Sequence, residues 1–180
     1  MRLLQSRLEE PIVSKTHTYR TTVAWTGDNG TGTSSYRSYE RSYDLCTADK
    51  PVILGSSDPM FRGDRARWNP EELLVGAISA CHQLWFLHLC SEAGISVLAY
   101  VDNAEGIMES KADGSSEFVK VMLRPQVTVP PHVTQALLDA IHLASHTKCV
   151  LAQSVRFTVD CEGTLLYPEG SDLASADVAA

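Results

Sequence analysis

The feature that most constrains the fold is a long apolar segment between Asn69 and Gly94. Asn69 precedes Pro70, and Glu72 follows at the third helical position, an order typical of a helix N-terminus because the side-chain oxygens satisfy free backbone N–H groups. Gly94 is placed to end the helix. The residues between are apolar nearly all round, so the segment predicts a buried central helix of about 24 residues, or roughly 36 Å.

Alternating patterns before this helix predict β-strands. β-branched and aromatic residues alternate over 17–25, and a more polar strand follows a glycine-rich turn at 27–32. No Lys-Ser or Lys-Thr pair follows those glycines. The turn is therefore interpreted as a hairpin rather than a phosphate-binding loop.

Further strands and a second helix are expected after the central helix. Pro125 indicates an edge or a bulge in one of the strands. The order of elements predicts an α+β domain with mostly antiparallel sheets around the long buried helix. The later segments are strands at 96–100, 106–109, 118–129 and 155–161, and a helix from Pro130 to just before Cys149.

A chain of 180 residues favours a single domain. Residues 1–16 are polar and unpatterned and are predicted to be a flexible arm, so the domain is placed at 17–164. The remaining residues, 165–180, are rich in Ala, Ser and Asp and are predicted to be disordered. The segment 48–68 is predicted to be a long loop, and loops of that length are often functional.

Composition excludes some classes of partner and compartment. Lys and Arg number 15 against 22 Asp and Glu, a net charge of −7 with no basic run, which argues against nucleic acid. The uncharged stretch 73–91 is interrupted by His82 and His88, so it suits a buried helix better than a membrane span. The N-terminus lacks the apolar core of a secretory signal. We therefore expect a cytoplasmic protein with reduced thiols and no membrane partner.

Five cysteines, an odd number without a CxxC pair, predict free thiols, ligands or redox groups rather than a disulfide framework. Cys81 lies in mid-helix beside His82, and Cys149 follows the second helix beside Lys148. Such polar or basic neighbours can stabilise a thiolate. The other cysteines are predicted to be structural: Cys46, Cys90 and Cys161.

One combination of residues is recognisable. The segment 69–82, N-P-E-E-L-L-V-G-A-I-S-A-C-H, is followed at a distance by Cys149 before an Ala-x-Ser-Val stretch. This pattern resembles the OsmC/Ohr family of thiol-dependent peroxidases, and the resemblance covers roughly residues 19–160. It implies reduction of organic hydroperoxides and hydrogen peroxide without a cofactor. It also implies an intertwined homodimer with active sites at the subunit interface.

The resemblance also implies residue roles. Cys81 resembles the peroxidatic cysteine, which would become a sulfenic acid, and Cys149 resembles the resolving cysteine, which would close a Cys81–Cys149 disulfide. An external thiol reductant would then reopen that disulfide. Glu71 resembles the carboxylate that orients an active-site arginine.

The arginine itself departs from part of the family pattern. The Ohr branch carries it in the glycine turn after the first strand, where this chain has none. The OsmC branch carries it in the loop before Asn-Pro-Glu, where this chain offers Arg62. Arg62 is therefore the first candidate, followed by Arg41 and Arg37. A guanidinium suits the role because it is always charged and lowers the pKa of a nearby thiol.

Helix geometry constrains how Glu71 acts. In a continuous helix Glu71 and Cys81 lie roughly 15 Å apart along the axis. Glu71 must therefore act through the arginine or across a dimer interface, so isolated subunits are predicted to be inactive.

Two alternatives remain open. His142 and His146, four residues apart on one helix face with Cys149 beyond, suit tetrahedral zinc ligation, although no HExxH or CxxC accompanies them. A non-catalytic interaction domain with buried structural cysteines is the other. The sequence does not identify the physiological reductant or the preferred peroxide.

Overall fold

The computed structural model describes residues 15–169, which form nine strands and three α-helices. The strands are β1 (Thr22–Trp25), β2 (Tyr43–Cys46), β3 (Ile53–Gly55), β4 (Ala99–Asp102), β5 (Glu105–Ser110), β6 (Ser116–Leu123), β7 (Pro125–Thr128), β8 (Thr158–Cys161) and β9 (Thr164–Leu166). The helices are α1 (Pro70–Glu92), α2 (Gln135–Lys148) and α3 (Val150–Ser154). The predicted α+β class is confirmed.

The strands form three sheets of three strands each, ordered β1-β2-β3, β4-β7-β9 and β5-β6-β8. Most neighbours are antiparallel, as expected, but β6 pairs with β8 and β7 pairs with β9 in parallel. One core cluster lies between the C-terminal half of α1, α2 and the sheet containing β7. A second lies between the N-terminal half of α1 and the sheet containing β6. Among the described residues, β1, β2 and β3 contribute nothing to either cluster.

The N-terminus of α1 has the predicted cap. The Asn69 side chain accepts a hydrogen bond from the Glu72 backbone N–H at 2.7 Å, and the Glu72 carboxylate accepts one from the Asn69 N–H at 3.2 Å. Gly94 follows the C-terminus with φ +71°, a conformation that glycine adopts without strain. The helix therefore runs unbroken for 23 residues, close to the predicted length.

Burial of α1 differs from the prediction. Only one stripe at a spacing of four residues is buried, namely Ile78, His82, Phe86 and Cys90. Leu84 on another face is 67% exposed. The expectation of a helix buried all round is therefore wrong for a single chain, because α2, α3 and two sheets cover one side only. The length and apolar composition of α1 would also suffice for a membrane span. The core helix of a soluble protein meets the same two criteria.

The predicted strand over 118–129 is two strands in different sheets. β6 ends at Leu123 and β7 begins at Pro125, which pairs with Asp102 of β4. The Asp102 carboxylate accepts a hydrogen bond from the Arg124 N–H at 2.7 Å and so holds the corner. Pro125 marks neither an edge nor a bulge, since it is the first residue of a strand that lies in the middle of its sheet.

Several boundaries also move. β1 covers only the end of the predicted 17–25 strand, and β3 lies within the predicted 48–68 loop. β9 and Tyr167, whose hydroxyl donates to the Val133 carbonyl at 2.9 Å, extend the folded part past the predicted boundary at 164. Most of the predicted arm and tail, at 1–14 and 170–180, lies outside the described residues.

Candidate active site

Two thiols from distant parts of the sequence meet beside the central helix. Cys81 lies in the middle of α1, while Cys149 joins α2 to α3 and caps α3. Their Sγ atoms lie 2.7 Å apart, and both cysteines are free thiols. Cys149 is fully buried and Cys81 is half-buried. A small movement would bring the two sulfurs to bonding distance, which is about 2.05 Å.

The surroundings of Cys149 hold it in the thiol form. Burial, followed by the hydrogen bond with Cys81, raises the pKa of Cys149 to about 11. The protonated thiol donates to the Cys81 sulfur, and the Ala152 N–H in turn donates to the Cys149 sulfur at 3.4 Å. A donor hydrogen bond favours the charged form of its acceptor. Burial therefore outweighs the Ala152 hydrogen bond and disfavours negative charge on Cys149.

The predicted basic neighbours do not contact the sulfurs. His82 turns away from the pair, with its Nε2 3.0 Å from Nδ1 of His142, and burial lowers its pKa to about 4. It is therefore neutral at pH 7 and offers no positive charge to a thiolate. The Lys148 ammonium lies over the ring of Trp85, 5.3 Å from the ring centroid.

Glu71 lies in the first turn of α1, and the unbroken helix keeps it roughly 15 Å from Cys81 along the axis. Its Oε2 atom is buried and has no hydrogen-bond partner within residues 15–169. Its negative charge adds to burial in raising the pKa of Tyr43. Glu71 also lines a cavity of about 550 Å³ together with Val75, Gly76, Ser79, Asp102, Met108 and Phe118. A buried carboxylate oxygen without a donor is costly and is expected to receive one from elsewhere.

None of the three candidate arginines reaches the site in the single chain. Arg62 is exposed, its backbone φ is +67°, and its guanidinium carbon Cζ lies 6.0 Å from the ring centroid of Tyr36. Arg41 is held by hydrogen bonds to the carbonyls of Tyr36 and Tyr39. Within the described part of the chain, no hydrogen bond or ion pair joins Arg37, Arg41 or Arg62 to Glu71 or to either cysteine.

Arg67 is a polar residue that sequence reasoning passed over. Its Nη1 is buried, has no hydrogen-bond partner in the described residues, and lies 3.9 Å from the Asp44 carboxylate on β2. Its Nε lies 3.7 Å from Asp64. Arg67 lies two residues before the α1 cap, in the loop where the OsmC branch carries its arginine. That position alone could have identified it as a candidate.

The structure does not bring together the alternative zinc set of His142, His146 and Cys149. Cys149 is paired with Cys81, so it does not join His142 and His146. His142 instead lies with His82 and Cys161, whose ligand atoms are all within 4.8 Å of one another. Cys161 therefore contacts a histidine rather than serving only as core, whereas Cys90 is fully buried in the core as predicted. The sequence offered no spacing signal for a set drawn from three separate elements.

With the fold and these contacts established, comparison with known proteins identifies the family. The model of the OsmC-like protein family matches residues 63–162, more than half of the chain. The chain belongs to the OsmC-like family, which is linked to hydroperoxide resistance. No curated protein matches the sequence.

Solved structures agree with this fold. An OsmC-like protein of unknown function from Vibrio cholerae is 29% identical, with a TM-score of 0.75, over 82% of this chain and 99% of that chain. An organic hydroperoxide resistance protein from Legionella pneumophila is 17% identical, with a TM-score of 0.60, over 83% and 98%. Another from Elizabethkingia anophelis is 15% identical, with a TM-score of 0.59, over 86% and 100%. At 17% and 15% identity, the latter two show similarity of fold alone.

Proposed function

We propose that the protein is a cysteine-based peroxidase that reduces organic hydroperoxides and hydrogen peroxide, using Cys81 as the peroxidatic and Cys149 as the resolving cysteine. The observation that carries this proposal is the 2.7 Å separation of their sulfurs. Membership in the OsmC-like family and the fold shared with organic hydroperoxide resistance proteins support it.

The reaction balances with these two thiols and an external dithiol. The Cys81 thiolate attacks one peroxide oxygen, the O–O bond breaks, and the departing alkoxide takes a proton to leave as an alcohol, or as water from hydrogen peroxide. The Cys149 sulfur then attacks the Cys81 sulfenic acid, forming the S–S bond and releasing water. An external dithiol finally exchanges with the disulfide, returns both cysteines to thiols and becomes a disulfide itself. The cytoplasm, our proposed compartment, supplies such reductants.

The different states of the two thiols support this order. A thiol whose pKa is about 11 is a poor nucleophile at neutral pH, so Cys149 waits while Cys81 reacts first. Oxidation turns the Cys81 sulfur from the nucleophile into the electrophile that Cys149 attacks. Cys149 then lies next to an electrophilic sulfur without any rearrangement of α2 or α3.

A homodimer is part of the proposal because the single chain leaves apolar surface uncovered. Leu84 of α1 is 67% exposed, and Trp25 and Val23 of β1 are 46% and 64% exposed. In the described chain, the sheet containing β1 packs on no core cluster. A sheet normally buries one face. A second copy that covers α1 and this sheet would bury these side chains.

The dimer would also supply the missing partner of Glu71. Within the described residues, Glu71 Oε2 is buried without a hydrogen-bond partner, and Arg62 is exposed on the same chain. In the proposed arrangement the Arg62 guanidinium pairs with Glu71 at the interface and lies beside a Cys81 thiolate. An arginine can donate to a carboxylate through paired N–H groups and still hold an anion on its other side.

Peroxide-reduction kinetics in single variants test the proposed roles. With tert-butyl hydroperoxide or hydrogen peroxide and a dithiol reductant, Cys81→Ser should lower turnover by roughly a thousandfold or more, as removal of a nucleophile does. In a single turnover without reductant, Cys149→Ser should consume one peroxide per chain and leave a sulfenic acid that dimedone traps. Cys46→Ser, on β2, is the matched control and should turn over normally. Unchanged turnover in Cys81→Ser would end the proposal.

The same assay tests the arginine. Arg62→Gln and Glu71→Gln should each lower kcat/KM, and the double variant should lose no more than the worse single variant, because the two side chains act as a unit. Arg37→Gln and Arg41→Gln are the comparisons. A loss confined to Arg41→Gln or Arg37→Gln would transfer the role to that residue.

A further inference from the structure

Three side chains that the proposed peroxidase reaction does not use meet between α1, α2 and β8. His82 Nε2 lies 3.0 Å from His142 Nδ1 and 3.8 Å from the Cys161 sulfur. The ligand atoms of all three lie within 4.8 Å of one another. His82 and His142 are 1% and 5% exposed, so two imidazoles are buried where apolar residues would normally pack.

The two rings face each other through their nitrogen atoms. They are nearly coplanar, with an interplanar angle of 13° and centroids 5.3 Å apart. A neutral imidazole has one N–H and one bare nitrogen, so a single proton is shared across the 3.0 Å gap. His142 Nε2, on the far side of its ring, is buried and has no hydrogen-bond partner in the described chain. Within the described residues, the pair therefore does not complete its own hydrogen bonding.

We propose that His82, His142 and Cys161 form a zinc-binding site that is separate from the Cys81–Cys149 pair. Bond lengths of about 2.0–2.1 Å to nitrogen and about 2.3 Å to sulfur place two nitrogens about 3.3 Å apart, and a nitrogen and a sulfur about 3.6 Å apart, around a tetrahedral ion. The observed 3.0 and 3.8 Å lie within a few tenths of an ångström of these two values, and all three ligand atoms lie within 4.8 Å of one another. Both rings must also turn so that their facing nitrogens point to one ion.

The protonation states suit such an ion. Burial lowers the pKa of both histidines to about 4, so both rings are neutral at pH 7. When both facing nitrogens bind the ion, the proton between them moves to an outer nitrogen of the pair, His82 Nδ1 or His142 Nε2, so that each ring keeps one N–H. Burial raises the pKa of Cys161 to about 12, so an entering Zn²⁺ must displace the thiol proton. Binding forms one Zn–S and two Zn–N bonds and releases one proton to solvent.

The charges and space around the cluster also fit. Asp102 acts electrostatically on His82 and Cys161, and Asp139 acts on His142 and Cys161. These two carboxylates offset the single positive charge that remains on a zinc–thiolate unit. A cavity of about 300 Å³ adjoins His142 and Cys161, with Asp139, His146 and Asp160 in its lining. A water in this cavity would occupy the fourth position.

Metal titration of the Cys81→Ser/Cys149→Ser double variant tests the site without interference from the paired thiols. Chelator-treated protein, kept reduced, is titrated with Co²⁺ and then with Zn²⁺. We expect one Co²⁺ per chain with a thiolate-to-cobalt charge-transfer band in the near ultraviolet, release of one proton, and displacement by one Zn²⁺. Zinc should also raise the melting temperature, because it binds the folded chain.

Substitutions separate this site from adventitious binding. In the same background, Cys161→Ser should abolish the charge-transfer band, and His142→Gln and His82→Asn should each weaken zinc binding roughly tenfold or more. His88→Asn, an exposed histidine on the same helix, and Cys46→Ser are the controls and should bind as the parent does. Circular dichroism of each metal-free variant establishes that it is folded. Absence of stoichiometric binding, or equal binding in the Cys161→Ser and control variants, would overturn the proposal and leave the peroxidase proposal untouched.

Discussion

The two sulfurs of the proposed active site differ in environment far more than in sequence context. Cys149 is fully buried at the junction of α2 and α3, and its thiol donates a hydrogen bond to the Cys81 sulfur. The Cys81 side chain is only half-buried. Burial therefore distinguishes the two thiols, because it keeps Cys149 protonated at neutral pH. In the proposed mechanism this difference gives Cys149 the resolving role.

This difference predicts selective alkylation. With a pKa of about 11, roughly one Cys149 in a thousand is a thiolate at pH 8, so iodoacetamide should modify Cys81 first. Because the folded-state pKa is raised, labelling of Cys149 in the Cys81→Ser variant should stay slow at neutral pH and increase as pH approaches 11. Peptide mass spectrometry measures both rates. Equal labelling of the two cysteines at pH 8 would contradict the assignment.

Individual residues could be predicted where the chemistry is local and not where it depends on packing. The cap consists of two hydrogen bonds between Asn69 and Glu72, which are three residues apart, and the structure contains both as predicted. The sequence indicated a different set of candidate zinc ligands because helix spacing joins His142 to His146 but cannot show that His82 and Cys161 approach from other elements. The choice among Arg37, Arg41 and Arg62 stays a prediction, because within one chain none of them contacts Glu71.

At the scale of elements, α1 is the helix whose apolar sequence is least matched by its burial in a single chain. It is apolar nearly all round, yet a single chain buries one stripe of it. The sequence shows that α1 has apolar residues on every face. It does not show which of these residues are exposed in a single chain, because periodicity does not reveal how many elements pack against a helix. The break of one predicted strand into β6 and β7 at Arg124 was missed for a related reason: Pro125 signals an interruption but not a change of sheet.

The exposed face of α1 predicts self-association. Leu84→Glu would place a charge in the proposed interface, so it should weaken the dimer by roughly a hundredfold or more and lower peroxidase activity with it. Leu143→Glu on α2, at a site 68% exposed against 67% for Leu84, is the matched control and should remain dimeric. Sedimentation velocity gives the oligomeric state. A monomeric Leu84→Glu protein with full activity would show that the interface is not needed for the reaction.

At the scale of the whole molecule, three sheets and two long helices bring residues from distant parts of the chain into two neighbouring clusters. α1 supplies Cys81 to one cluster and His82 to the other, and these adjacent residues face different partners, Cys149 and His142. The α+β class and the proximity of Cys81 and Cys149 were foreseen, the first from element order and the second from family resemblance. The partition into two clusters was not, because it depends on where α2 and β8 pack against α1.

The central claim is that peroxide converts the neighbouring thiols into a disulfide. Reduced protein treated with one equivalent of tert-butyl hydroperoxide, quenched and digested without reduction, should yield a Cys81–Cys149 linked peptide, with the intact chain lighter by two hydrogens. Cys90, buried in the core, should remain a thiol and serves as the internal control. Peroxide consumption that leaves both Cys81 and Cys149 as thiols would contradict this claim. So would a disulfide between other cysteines that forms as fast as the peroxide is consumed.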